Sequence, residues 1–323
     1  MLRIATINTW KGEGDYERRL PLLVHGLREE KIDILCCQEA FATDDGRYNT
    51  AAVLAKELGM TCSFSAARRK KRLFQGKRLE CTSGMAILTG TDTWMLYSGS
   101  FSLPETTKDR GRVAQFAVIR KNGNTILVIN VHLSHLKNGL RLRQKQVREI
   151  LSHASLVRSY GAIVICGDFN AAQEEDDLKA LRNHAGYRAY DGFIAGGGDF
   201  EASTMVAGAV ENRRRVDHIF VLEKKKNPVA RLAMKNSRLI LNRQDANGIF
   251  PSDHYGVAMD LEIERIYGKI TVRFDIMPLL PSHGGGPRKV NRPYPFRFLC
   301  GFSRSVSAGN QERSIQEEDV AAA

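Results

Sequence analysis

Apolar residues in this chain come in short runs, and most of the runs end on a polar residue. "LRIATINTW" (2–10) and "IDILCCQEA" (32–40) read as buried β-strands. Between them Leu20, Leu23, Val24 and Leu27 recur at helical spacing, with Pro21 tolerable in that helix's first turn. A second helical pattern covers 51–58. Three strand-like runs follow at 83–90, 111–120 and 124–135, and "KNGN" between the last two carries the Asn-Gly pair of a tight hairpin. The three are expected to be antiparallel neighbours.

The second half repeats this plan. Val147, Ile150, Leu151, Ala154 and Val157 mark one face of a helix starting near Gly139, and "AIVICGDFN" follows as a strand. A short helix is expected over 174–184, its four leading acids suiting the positive end of the helix dipole. The glycine-rich "IAGGGDF" then leads to strands at 215–222 and 252–263. Two successive strand-and-helix halves predict an α/β fold, a four-layer sandwich of two packed mixed β-sheets flanked by helices, over residues 1–263. Residues 264–323, rich in Pro, Gly and basic side chains, are expected to be an extended or disordered C-terminal extension.

No apolar run approaches the roughly 18 residues of a membrane span, and the N-terminus lacks the pattern of a secretory signal. The six cysteines show no C-x-x-C pairing, and three lie inside apolar runs, as small buried hydrophobes in a reducing compartment. A cytoplasmic location is the expectation. The formal charge of +12 is carried mostly by the body: residues 1–262 hold 39 Lys and Arg against 30 Asp and Glu. An anionic partner is implied, either nucleic acid or an anionic phospholipid surface.

Polar residues at strand ends supply the candidate chemistry. An unpaired buried carboxylate costs several kcal/mol, so an acid ending an apolar strand is either solvated at a rim or held there for a task. Asn8, Glu39, His132, Asp168 with Asn170, Asp217, and Asp253 with His254 all stand in such places. Singly, each reads as a cap or a satisfied rim residue. Brought to one sheet edge they would form an oxygen-rich cluster beside two imidazoles, suited to Mg²⁺, with Mn²⁺ as the alternative, and to hydrolysis of a phosphate ester.

The motifs "INTW", "QEAF", "NVHLSH", "GDFN", "VDHIF" and "SDH", in that order between residue 2 and about 262, resemble the endonuclease/exonuclease/phosphatase superfamily of metal-dependent hydrolases. The resemblance implies that Glu39 is the principal metal ligand, supported by Asn8, with Asp253 serving the ion directly or through water. Asp168 would align and deprotonate the attacking water, Asn170 would orient it, and His254, held by Asp217, would contact the scissile phosphate. His132 matches the histidine of the deoxyribonuclease, sphingomyelinase and phosphatase branches, where the apurinic endonucleases use a Tyr.

Substrate contacts are expected from the basic loop "ARRKKRLFQGKRLE" (67–80). Arg69, Lys70, Lys71 and Arg72 would track phosphates while Phe74 stacks on a base, or the same residues would press onto an anionic bilayer. Arg215, beside Asp217, would lie close to a phosphate. A nuclease-like phosphodiesterase is the leading expectation. The alternatives are a sphingomyelinase-like phospholipid phosphodiesterase, a phosphoinositide phosphatase, or a catalytically silent phosphate-binding module, which would lack one of the core acids or histidines.

Overall fold

The computed structural model describes residues 1–155, 160–206 and 214–266. Twelve strands form two six-stranded sheets. In chain order they are β1 (Leu2–Asn8), β2 (Ile34–Thr43), β3 (Thr61–Phe74), β4 (Lys77–Thr89), β5 (Trp94–Ser102), β6 (Val113–Lys121), β7 (Asn124–His132), β8 (Ala162–Asp168), β9 (Tyr187–Asp191), β10 (Asp217–Lys224), β11 (Ala230–Ile240) and β12 (Gly256–Arg265). One sheet runs β11-β12-β1-β2-β4-β3 and the other β5-β6-β7-β8-β10-β9.

Each sheet is built around one parallel pair, β1 with β2 and β7 with β8, while the neighbouring strands that matter for the site, β12 and β10, run antiparallel to these. A parallel pair needs a crossover, and helices α1 (Tyr16–Glu29) and α3 (Leu140–Ser155) supply it. In consequence the C-terminal ends of β1, β2, β7 and β8 and the N-terminal ends of β10 and β12 meet at one edge of the sandwich.

Ile4, Ile34, Cys36 and Ile87 from one sheet pack between the layers against Ile119, Val128, Val164, Cys166 and Val221 from the other. The outer face of the first sheet is covered by α1 and α2 (Thr50–Leu58) through Leu23, Leu27 and Leu54, and that of the second by α3 through Val147, Ile150 and Leu151. Two amides cross the apolar interior. Gln38 donates to Asn130 Oδ1 at 2.7 Å and to Thr6 Oγ1 at 2.9 Å, and Asn130 donates to the carbonyls of Cys37 and Ala86. Buried amides must keep these partners, so the pair fixes how one sheet sits on the other.

The expected sandwich is present, with three differences in its parts. The 67–80 segment is a β-hairpin, not a loop: β3 and β4 pair as far as Phe74 with Lys77 around a Gln75-Gly76 turn. The run at 83–90 belongs to the first sheet as part of β4, whereas β6 and β7 form their antiparallel hairpin in the second. The helix expected over 174–184 is a 3-10 turn at Asp176–Leu178 followed by the single turn α4 (Lys179–Arg182). β3, β5, β9 and β11 carry weak apolar alternation, and only pairing makes them strands. From residue 267 onward the 264–323 extension lies outside the described residues. Among the described residues no helix is long and apolar enough to cross a membrane.

Candidate functional site

Register places the first three groups. β7 and β8 align His132 with Asp168, and β8 and β10 align Asp168 with Asp217, so these residues stand side by side across three strands. Gly167, at φ +140°, makes this possible: a Cβ there would overlap the Val131 carbonyl oxygen on β7. His254 arrives from the segment before β12, held by a bridge to Met205.

Asp168 is buried and accepts three contacts. Asn8 Nδ2 donates to its Oδ2 at 3.0 Å, the Asn170 backbone N–H donates to Oδ1 at 2.8 Å, and His132 Nε2 lies 3.4 Å from Oδ2. Burial, reinforced by the Asp217 charge, pushes its carboxyl up to about 6. His254 Nδ1 lies 2.8 Å from Asp217 Oδ2. Burial works against the His254 charge, but Asp217, and then Asp168 and Asp253, outweigh it and raise the imidazolium to about 10. His132 behaves in the opposite way. Burial and the positive charges of Arg112, Lys11 and His254 hold it well below the ordinary histidine value. At neutral pH the site therefore pairs an ionised Asp168 and a neutral His132 with a protonated His254, whose Nδ1 is the atom that Asp217 engages.

The metal-side residues lie next to this row. Glu39 sits at a bulge in β2, with φ +54°, a strained conformation for a residue with a side chain, and its Oε1 takes the Lys11 ammonium at 2.7 Å. Asn8 bridges: its Oδ1 accepts the Trp10 N–H and its Nδ2 serves Asp168. Asp253 has a raised pKa, first from burial and then from the Glu39 charge, opposed by His254. Among the described residues Asp168, Asp217 and His254 bring ligand-type atoms within 4.8 Å of one another. That trio, in which Asp217 Oδ1 is buried with no hydrogen-bond partner, and the Glu39, Asn8 and Asp253 group beside it are the two oxygen-rich places on this edge. A hard divalent ion fits this donor set. Glu39, Asn8 and Asp253 would each offer an oxygen donor, and Glu39 already attracts the Lys11 ammonium.

Four residues expected to contact substrate, Phe74, Arg215, Arg69 and Lys71, are engaged elsewhere in the structure. Phe74 is buried and packs on Phe41, Tyr16 and Tyr48, with ring centroids 4.8–5.5 Å apart, so it cannot stack on a base. It supports the loop that carries Lys11, since a Cβ at Gly12 would come within 3.0 Å of the Phe74 and Phe41 rings. Arg215 is also buried, donating to Asp191 at 2.8 Å and Gln173 at 3.1 Å and lying 5.0 Å over Phe193, so its guanidinium is engaged inside the protein. The basic run divides by face. Arg69 pairs with Asp44, and Lys71 with Glu80 at 3.6 Å, on the outer face of the hairpin, whereas Lys70 and Arg72 point to the other side. Asn170, at φ +50°, donates its Nδ2 to the Leu133 carbonyl and its backbone N–H to Asp168.

Other residues hold the site and carry no strong local signal. Arg19, buried in α1, donates to the carbonyls of Thr9, Trp10, Lys11, Glu13 and Pro251 and so ties the Lys11 loop to the Asp253 loop. Ser252 Oγ donates to the Asn8 carbonyl at 2.6 Å. Thr204 Oγ1 accepts from the Val216 and Asp217 N–H groups. Arg143 and Gln146 of α3 fasten Ser134 and Leu136, just past His132.

A model of the Endonuclease/Exonuclease/phosphatase family matches residues 5–254. Solved structures with the same fold include D. rerio TDP2 complexed with single-strand DNA product (TM-score 0.64, 19% identity, 81% of this chain and 98% of that one). The human Nocturnin catalytic domain with bound sulfate gives 0.62 and 20%, over 81% and 93%. A mannosyl-6-phosphatase from Bacteroides thetaiotaomicron VPI-5482 gives 0.59 and 18%, over 81% and 100%. No curated protein matches the sequence.

Proposed function

Because the chain belongs to the endonuclease/exonuclease/phosphatase family, we propose that it is a metal-dependent phosphodiesterase that hydrolyses a nucleic-acid backbone. The observation that carries this reading is the row His132, Asp168 and Asp217 aligned across three neighbouring strands, with Asn8 on Asp168 and His254 Nδ1 2.8 Å from Asp217.

Mg²⁺ held at Glu39, beside Asn8 and Asp253, would supply positive charge to the phosphate oxygens. The chain's own groups do the rest. Asp168, fixed at both oxygens by Asn8 and the Asn170 amide, aligns water and takes its proton. Asn170 orients that water. His254, locked by Asp217 at Nδ1, donates its remaining N–H to a non-bridging oxygen as charge builds there. Neutral His132, beside Asp168, assists the leaving group.

The overall charge of +12 supports a polyanionic substrate. The DNA product bound to the TDP2 relative shows a nucleic acid on this fold, in that protein. Cleavage of sphingomyelin or phosphoinositide is the alternative, in which Leu73 and Phe74 of the hairpin would insert into the bilayer, and Phe74 is turned inward. A catalytically silent module is disfavoured because every core acid and histidine is present. The test is turnover of single- and double-stranded DNA, RNA, sphingomyelin, phosphoinositides and a bis-aryl phosphodiester, with Mg²⁺ and with EDTA. Metal-dependent cleavage of DNA or RNA that falls by about 10²–10⁴ in Asp168→Ala is expected. Lipid cleavage alone would overturn the substrate, and no reaction with any diester would overturn the enzyme.

A further inference from the structure

The β3 hairpin carries Arg68, Arg69, Lys70, Lys71 and Arg72 in sequence, and strand geometry sorts them onto two faces. On the outer face Lys71 stands opposite Glu80 in the register, and Arg69 reaches Asp44 and Glu80, so that face is close to neutral. The inner face is different. Lys70 makes no ion pair among the described residues, and its ammonium is lowered by partial burial and then by the charges of Arg68, Arg72 and Lys11, with Asp109 opposing them. Arg72 lies 3.7 Å from the half-exposed Glu13, and its Nε is buried without a partner. Arg68 lies 3.8 Å from Asp109, a carboxylate that Arg112 already holds at 3.1 Å.

This inner face adjoins the site at two points. Lys11 joins it to Glu39, and Arg112 donates to the His132 carbonyl at 3.2 Å. Arg68, Lys70 and Arg72 recur at about 6.8 Å intervals along the strand, and a bulge at Ala66/Arg68 sets their phase. A row of like charges held together beside a hydrolytic site is unfavourable unless an anion completes it.

Resting on the phosphodiesterase reading, we propose that Arg68, Lys70 and Arg72, continued by Lys11, form a one-sided cationic strip that binds the backbone phosphates next to the scissile one in a nucleic-acid substrate. A bilayer fits less well. The apolar residue exposed on the hairpin, Leu73, belongs to the outer face with Arg69 and Lys71, and Phe74 is buried.

The test is binding of a fluorescently labelled oligothymidylate, read by anisotropy across salt concentrations, with the full chain in an Asp168→Asn background and Mg²⁺ present. In Arg68→Gln/Lys70→Gln/Arg72→Gln the slope of log affinity against log salt should fall by about 2, from three contacts at about 0.7 each. Lys70→Gln alone, an exposed and unpaired position that leaves folding intact, should lower it by about 0.7. Arg69→Gln/Lys71→Gln should leave it unchanged. Equal effects from the two faces, or none from Lys70→Gln, would overturn the strip. So would binding to phosphatidylserine vesicles that is lost in the triple variant while the oligonucleotide is ignored. Turnover of a bis-aryl phosphodiester by the unmodified chain separately tests the hydrolytic reading, whose failure leaves the binding result intact.

Discussion

Replacing Asp217 with Asn isolates the charge on His254 while changing the shape of the site little. In the native protein Asp217 stands 2.8 Å from His254 Nδ1 and is the main reason its imidazolium persists to about 10. Without that charge, burial works against the remaining pull of Asp168 and Asp253, and the ring should return to about 6.5. At pH 8 the protonated fraction would then drop from about 99% to about 3%, roughly a thirty-fold loss, whereas at pH 6 it would drop only to about 76%. The ratio of native to variant kcat/KM should therefore grow about 25-fold between pH 6 and pH 8, on top of any pH-independent loss. Because Asp217 also raises Asp168, the acidic limb near 6 should move down in the same variant. Ring-labelled histidine NMR of the metal-free protein follows the titration directly. A resonance that still titrates near 10, or a ratio flat from pH 6 to pH 8, would refute the assignment of His254 as a protonated donor held by Asp217. Stability follows with a definite sign: a folded pKa above the unfolded one stabilises fully below about 6.5, and that contribution is lost as pH rises through about 10. Alkaline loss of stability in that window should be weaker in Asp217→Asn.

Three further outcomes follow from the same geometry. The carboxyl of Asp168 is raised to about 6, so its stabilising contribution is present below about 3.8 and lost as pH rises through about 6; Asp168→Asn should abolish turnover yet raise the melting temperature by a few degrees at pH 8, by calorimetry. Phe74→Ala should cost about 3–5 kcal/mol of folding stability, measured by denaturant titration, because a buried ring is removed from the Tyr16–Phe41–Tyr48 cluster; a residue that only stacked on bases would leave stability unchanged. Mg²⁺ at 100 times its Kd should stabilise the native chain by about 2.7 kcal/mol, and Glu39→Gln should flatten that thermal shift.

Much of the site is legible in the chain because a polar residue directly after an apolar strand has little choice of environment. Asn8, His132, Asp168 and Asp217 end or begin strands in the structure as their patterns predict, whereas Glu39, expected at the end of a strand, lies inside β2 at a bulge from which pairing resumes to Thr43. What they do there depends on register. Nothing local places Asp217 opposite Asp168, or gives Asn8 both to Asp168 and to the Trp10 amide. Lys11, Arg19 and Ser252 carry no strong local signal because their partners are Glu39, Pro251 and Asn8, far along the chain in two of the three cases.

The errors share one cause. A basic run has no apolar alternation, so "ARRKKRLF" looks like a solvated loop, and only pairing with β4 makes it a strand whose alternate residues face opposite ways. Burial is likewise a property of the assembled layers: Phe74 and Arg215 are an aromatic and a cation near the site in sequence, and packing turns both inward. The order of strands, helices and strand-end acids, and with it the family, is written in the sequence by hydrophobic periodicity and local chemistry. Which carboxylate is ionised, which histidine keeps its proton and which face of the hairpin presents its charge were decided only by tertiary structure, because pairing register and burial set the distances and desolvation on which charge depends.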